Sequence, residues 1–300
     1  MKSLIRKFTP LIMMVLSLSS APQLAFAKLE VIATTTSMAM LAREIGGDQV
    51  SVKSLAAPDR DTHYLQAKPS MLLKLRSADL VVSVGAGLEV GWLPSAVRNS
   101  ANPGIQPGES GYFAAADSLE LIEKTIADRA KGDVHPEGNP HFNLDPARMA
   151  IVVKSLTERM IALAPEQEKS FRRNSATLIN NLNTLLPELK QIAQQAPGVV
   201  LMHKSASYLL EQLKIPFLGQ MEPVPGVPPT ALHIKQLAIE LKGKKGVIIY
   251  APYHADGVAK SLAKTLNWNQ HKLPLEPPKG AVFEDYRQLL LDWARAFANA

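Results

Sequence analysis

The sequence predicts an α/β protein whose sheets are mostly parallel and flanked by helices. Three observations carry this prediction. Short β-rich apolar runs alternate with helical patterns through the first half of the chain. The same alternation returns in the second half. Between the halves lies one long, polar, helix-periodic segment. Strands that alternate with helices argue for βαβ units, because a parallel strand needs a crossover to return to the same end of the sheet. Apolar residues make up 46% of the 300 residues and charged residues 20%, which excludes a disordered or fibrous chain. At roughly 100–200 residues per domain, the length allows one large domain or two lobes.

Residues 1–27 read as a secretory signal peptide. Lys2, Arg6 and Lys7 form a positive start, Leu11–Leu18 an apolar core, and Ala25-Phe26-Ala27 a small-x-small cleavage site. The apolar run is too short to span a bilayer, so the other reading, an N-terminal membrane anchor, is disfavoured. Removing those three charges takes away half of the formal net charge of +6. The remaining excess is a weak basis for nucleic-acid binding, and no nucleic-acid partner is expected. Cysteine is absent, which excludes disulfides, thiolate metal sites, Cys nucleophiles and a lipidated N-terminal Cys. No later run is long and apolar enough to cross a membrane. The expectation is a non-lipidated protein free in a bacterial periplasm.

Leu29–Thr34, Val50–Leu55 and Leu80–Val84 read as strands, with helices at Met38–Ile45 and Pro69–Ala78 between them. In the second half, Val199–Met202, Ile215–Leu218 and Val247–Tyr250 read as strands. Ser205–Leu213, Thr230–Leu241, Asp256–Leu266 and Phe283–Ala298 read as helices. In the central Pro165–Gln195 segment, Leu178, Leu182, Leu185, Leu189 and Ile192 recur every three or four positions and fall on one helix face. At 1.5 Å per residue it would span about 46 Å. It suits either a spine between two lobes or a surface helix along one domain. Pro187 removes a backbone donor and crowds the preceding turn, so a kink or restart is expected near Leu186. Asn102–Gly111 and Lys131–Pro140 read as loops, and the proline-rich Glu222–Pro229 as a stiff extended crossing.

Chemistry is carried by the histidines. There are seven, and three have a context that favours more than a structural role. His63 follows a strand in Asp59-Arg60-Asp61-Thr62-His63. His141 ends a loop ahead of a helix for which Asp145 is a natural N-cap and Pro146 a natural first residue. His203 follows Val199–Met202 at the carboxyl end of a strand. Ligands of open α/β sheets bind beyond such ends. Three rings at these positions could converge in one crevice, although their spacing is no local metal motif. HExxH, GxSxG and P-loop patterns are absent. Gly85-Ala86-Gly87 lacks the third glycine of a dinucleotide fingerprint and reads as a tight strand exit.

These residues resemble the solute-binding proteins of zinc and manganese ABC importers, zinc-uptake type, over nearly all of the chain after residue 27. The family pattern D-P-H-x-Y-E-P-T-P-S-D is matched by Asp61-Thr62-His63 and Pro69-Ser70. G-x-G-L-E-x-W-L is matched by Gly85-Ala86-Gly87-Leu88-Glu89 and, one residue late, Trp92-Leu93. D-P-H-x-W-L-D-P is matched by Pro140-His141 and Leu144-Asp145-Pro146. H-x-A-x-x-Y-L is matched by His203, with Ser205 for the usual Ala, and Tyr208-Leu209. Leu65-Gln66 replace Tyr-Glu, Asn139 an Asp and Asn143 a Trp.

The resemblance implies two lobes, each with a mostly parallel sheet flanked by helices, joined by a long linker helix. The implied divisions are residues 28–164, 165–196 and 197–300. It implies that His63, His141 and His203 ligate a divalent metal, which a monomeric binding protein, not an enzyme, delivers to the membrane permease of an ABC importer. The family's fourth ligand is often an Asp in a turn that here reads Lys272-Leu273-Pro274-Leu275-Glu276; Glu276, His254 or water would fill that place. Imidazoles favour Zn2+ over the harder Mn2+, while copper(II) and nickel(II) also suit them. Asp61 and Asp145 are candidates to orient the rings. Residues 131–140 hold only Asp133, His135 and Glu137, too few for auxiliary metal capture. The competing readings are a zinc-dependent hydrolase, a metal-independent adhesion protein and an organic-solute binder on the same plan.

Overall fold

The computed structural model describes residues 27–126, 135–224 and 226–299. The expected signal peptide, except for Ala27, lies outside the described residues, as does part of the 131–140 loop.

The first half folds as β1 (Leu29–Ala33), α1 (Thr36–Gly46), β2 (Val50–Ser54), α2 (Pro69–Arg76), β3 (Leu80–Ser83), α3 (Leu93–Asn99) and β4 (Tyr112–Ala114). Two long helices follow, α4 (Pro146–Leu163) and α5 (Glu168–Ile192). The second half is β5 (Val199–Leu201), α6 (Ser207–Leu213), β6 (Phe217–Gln220), α7 (Ala231–Glu240), β7 (Val247–Tyr250), α8 (Gly257–Leu266), β8 (Asn269–Lys272) and α9 (Phe283–Ala298). The strands form two four-stranded sheets, β2-β1-β3-β4 and β6-β5-β7-β8, and every pairing is parallel. The two lobes therefore share one strand order, although their sequences do not repeat.

The strands lie where β-branched runs put them. The whole of β3 and β7 is buried, as expected for parallel strands covered on both faces. One face of each sheet has its own core: α2 and α3 cover the first through Leu75, Trp92 and Val97, and α7 and α8 cover the second through Leu237 and Leu262. The other faces merge into a single apolar cluster that joins Val31 and Val82 of the first sheet to Val199 and Ile249 of the second. Helices α1, α4, α5 and α9 fill it, with Met40, Leu156, Leu182 and Trp293 buried at its centre. The lobes are thus bound by continuous packing as well as by the linker.

The long helix differs from its sequence reading in two ways. Pro165–Gln167 is a separate 3-10 turn, and α5 then continues across Pro187 without a restart. Buried Leu178, Leu182, Leu185 and Leu189 hold the helix on both sides of the proline, whose own side chain is exposed. The Glu222–Pro229 segment connects β6 to α7 within the second lobe and does not cross between lobes. Among the described residues no helix is long and apolar enough to cross a membrane.

Candidate metal centre

The functional side chains come from connections that leave the carboxyl ends of the two sheets. In each lobe the strand order reverses at the central β1/β3 or β5/β7 pair, so the connections leave to opposite sides and open a crevice between them. Connections of the two lobes meet where His141 approaches His203.

His63 lies in a 3-10 turn, Thr62–Tyr64, between β2 and α2. Asp61 caps that turn: its Oδ1 accepts from the His63 backbone N at 3.0 Å and lies 2.7 Å from ring Nδ1. Trp92 Nε1 donates to Thr62 O at 2.8 Å and fixes the turn to the core. Burial by itself would raise the Asp61 carboxyl, but the hydrogen bonds and charge of His63 outweigh it and hold it below its usual range.

His141 precedes α4 and is buried. Its backbone N donates to Asn139 Oδ1 at 2.8 Å. Asn139 is itself tied to the other lobe, donating to Lys204 O at 2.9 Å and accepting from Tyr208 Oη at 2.5 Å. Asp145 caps α4, accepting from Ala147 N at 2.9 Å, and pairs with Arg148 at 2.6 Å. It serves the helix and not a histidine ring. The His141 ring is driven well below its usual pKa by burial and then by the neighbouring His203, His63 and His135, which keeps it neutral.

His203 lies two residues beyond the end of β5, with Nδ1 3.3 Å from Glu222 Oε2. A carboxylate hydrogen-bonded to Nδ1, as Asp61 is to His63, holds the proton there and leaves the Nε2 lone pair to face inward. Glu222 stands beside His203 Nδ1 as a nearby charge.

The rings meet. Nε2 of His141 is 3.0 Å from Nε2 of His203, and the His63 and His203 centroids are 5.7 Å apart. A fourth ring, His135, joins them: its Nε2 is 3.2 Å from Nε2 of His63. One ring nitrogen each from His63, His135 and His141 lie within 4.8 Å of one another. A tetrahedral ion with nitrogens at 2.0–2.1 Å separates its ligand atoms by about 3.3 Å, so the spacing suits one cation. Sequence reasoning missed His135, which sits in a short polar segment with no flanking motif. No local pattern marks it. The Gly-x-Gly strand exit lies beside this ring: an added Cβ on Gly87 would stand 3.4 Å from His135 Nδ1, an ordinary contact, and the glycine answers to its φ of 80°. The shape of the exit is held by Glu89, which accepts from Val84 N at 2.8 Å and Thr34 Oγ1 at 2.6 Å.

Glu276 follows β8 and reaches the first lobe. Its carboxylate accepts from Ser37 N at 2.7 Å, Ser37 Oγ at 3.1 Å and Asn143 Nδ2 at 3.2 Å. Burial raises its pKa to about 7 against these hydrogen bonds. It also borders a void of about 30 Å³ with His63 and His141, room for one water or ion. His254, after β7, accepts from Ala251 N at 3.1 Å and lines the outer cleft with His63 and His203. His233 bonds Gln220 O at 2.9 Å and His271 lies on β8; neither joins the cluster.

The family model for ZnuA, zinc-uptake complex component A, periplasmic, matches residues 31–300. The manganese ABC transporter substrate-binding lipoprotein PsaA of Streptococcus pneumoniae is 28% identical over 174 residues, covering 57% of this chain and 53% of that protein. The match therefore spans about half of that relative. The iron ABC transporter substrate-binding lipoprotein MtsA of Streptococcus pyogenes serotype M1 is 23% identical over 282 residues, covering 82% of this chain and 88% of that protein. The crystal structure of a ZnuA superposes with a TM-score of 0.76 at 22% identity, covering 91% of this chain and 99% of that one, which shows the shared fold. These relatives are named as substrate-binding proteins of transporters, not as enzymes. With the family model matching almost from β1 to the final helix, the chain belongs to the ZnuA family of periplasmic zinc-uptake components.

Proposed function

We propose that this protein is the extracytoplasmic metal-binding component of an ABC importer, that it captures zinc, and that His63, His135, His141 and His203 hold the ion. The reading is carried by three ring nitrogens, of His63, His135 and His141, that lie within 4.8 Å of one another, and by His203, whose Nε2 is 3.0 Å from that of His141 across the lobes. An all-nitrogen donor set of this kind favours zinc over manganese, which prefers more oxygen ligands. His63, His135 and His141 come from the first half of the chain and His203 from the second, so the ion bridges the lobes and binding favours the closed arrangement. His135 takes the fourth position, and Glu276 ties the lobes together beside the site. The relatives' names support delivery to a membrane permease. The signal-peptide pattern and the lack of cysteine support release into the periplasm without a lipid.

Calorimetry on chelator-stripped protein tests this. Zn2+ binds at one site, more tightly than Mn2+. A protein that binds neither ion, or that prefers Mn2+, sinks the respective part of the proposal.

A further inference from the structure

A hydroxyl of the second lobe holds the chain that carries His135. Tyr208, fully buried on α6, donates from Oη to Asn139 O at 2.5 Å and accepts from Ile122 N at 3.3 Å. Asn139 N in turn donates to Ile122 O at 2.9 Å. Two stretches of the first lobe, at 121–122 and 138–139, are thus pinned together and to the second lobe through this hydroxyl. They lie in direct contact: an added Cβ on Gly138 would stand 2.5 Å from Leu121 Cβ. His135 is joined to this point by a turn, in which Gly138 N donates to His135 O at 3.0 Å. His141 has supports that bypass the hydroxyl. Its backbone N is held by Asn139 Oδ1, and Asn139 Nδ2 is anchored on Lys204 O and Glu123 Oε2 at 2.9 and 3.0 Å. Asp145 and Tyr286 hold the chain beyond it, through Ala147 N and Asn143 O.

We propose that Tyr208 is a positioning residue for His135: its hydroxyl sets where the turn at 135–138 presents the fourth ring to the ion. This rests on the four-histidine reading above. Tyr208 is not itself a ligand. It lies five residues after His203, so the stretch of the second lobe that supplies one ligand also steadies another from the first lobe. Without the hydroxyl, Asn139 O and Ile122 N lose the partner they share, and the turn is free to shift. Asn139 Oδ1 and Nδ2 keep their own bonds, so His141 stays in place. The loss therefore falls on His135 and spares His63, His141 and His203.

Calorimetry and ring-nitrogen NMR of the histidines test it, on the full chain stripped by chelator and reloaded with Zn2+. The variant is Tyr208→Phe, which removes the hydroxyl and keeps the aromatic ring under the Arg148 guanidinium, whose Cζ is 4.2 Å from the ring centroid. The expected result is a loss of about tenfold in zinc affinity, the scale of losing an orienting partner. In the zinc-loaded variant the His135 ring signal shifts toward its metal-free position, while those of His63, His141 and His203 stay at their bound positions. Unchanged affinity with an unmoved His135 signal overturns the proposal. Equal disturbance of all four rings, the mark of a general loss of structure, overturns it too. A parent whose His135 signal does not respond to Zn2+ removes the fourth ligand, and the role of Tyr208 with it. No zinc retained by the parent overturns the metal-binding reading itself.

Discussion

Nε2 of His141 and Nε2 of His203 stand 3.0 Å apart, one ahead of α4 and the other just beyond the end of β5 in the opposite lobe. At that distance two imidazoles either share one proton or aim both lone pairs at a cation. Burial among three other rings holds His141 neutral, which leaves it able to donate a lone pair. Substituting a ring should thus remove metal binding and not merely weaken it. His63→Ala, His135→Ala, His141→Ala and His203→Ala are each expected to lose more than about 100-fold in zinc affinity, beyond what loss of an orienting group costs. His233→Ala and His271→Ala should bind as the parent does. Titration calorimetry on the six variants checks this, and a silent His135→Ala would remove the fourth ring from the set.

Asp61 and Glu222 act through the rings they touch. Asp61→Asn and Glu222→Gln are expected to reduce zinc affinity by about 10–100-fold, because an amide no longer fixes the Nδ1 proton of His63 or places a charge beside Nδ1 of His203. Rescue supports an orienting role: Glu222→Asp, if it still reaches His203, should recover part of the loss.

Metal binding should fall with pH, since each ring must give up its proton to bind. Neutral His141 lowers the stability of the metal-free fold in acid. Below the ordinary imidazole pKa near 6.5 the unfolded chain takes up a proton that the folded ring refuses, so stability declines as pH drops below that value. His141→Gln should flatten this decline in thermal unfolding of stripped protein.

Glu276 works in the opposite direction. Its pKa is raised from 4.5 to about 7, so the folded state holds a proton that the unfolded state has lost. The stability it provides is complete below 4.5 and is lost as pH rises to about 7, a change of roughly 3 kcal/mol. Glu276→Gln should therefore gain melting temperature relative to the parent between pH 4.5 and 7.5. A difference that stays constant over that interval would show that the buried carboxyl is not the cause.

Pro187 is exposed within a continuous helix and contributes no backbone N–H. Pro187→Ala restores that donor and should stabilise the fold by about 1–3 kcal/mol, visible as a rise of several degrees in melting temperature. An unchanged or lower value would mean that the proline's restriction of the unfolded chain offsets the missing bond.

The architecture could be read from the sequence wherever burial leaves a composition. Val199–Leu201 and Val247–Tyr250 announce themselves because strands covered on both faces must be apolar. The β8 strand, Asn269–Lys272, is polar and lies at a sheet edge with little burial, so nothing in its residues marks it. Tyr112–Ala114 is too short to show a period. Asn139 and Asn143 look like mere departures from the family pattern. In three dimensions they tie the His141 segment to the second lobe, through Lys204 and Tyr208 and through Leu275, Glu276 and Tyr286.

The sequence by itself determined the alternation of strands and helices, the capped start of α4, and three histidines at strand or helix ends, because backbone geometry and local burial act over a few residues. Only the tertiary structure decided that His135 joins them, that Glu222 rather than Asp145 backs a ring, and that Glu276 spans the lobes. Those contacts join segments distant in the chain, and their energy depends on where two separate sheets bring their connections together, which no local pattern encodes.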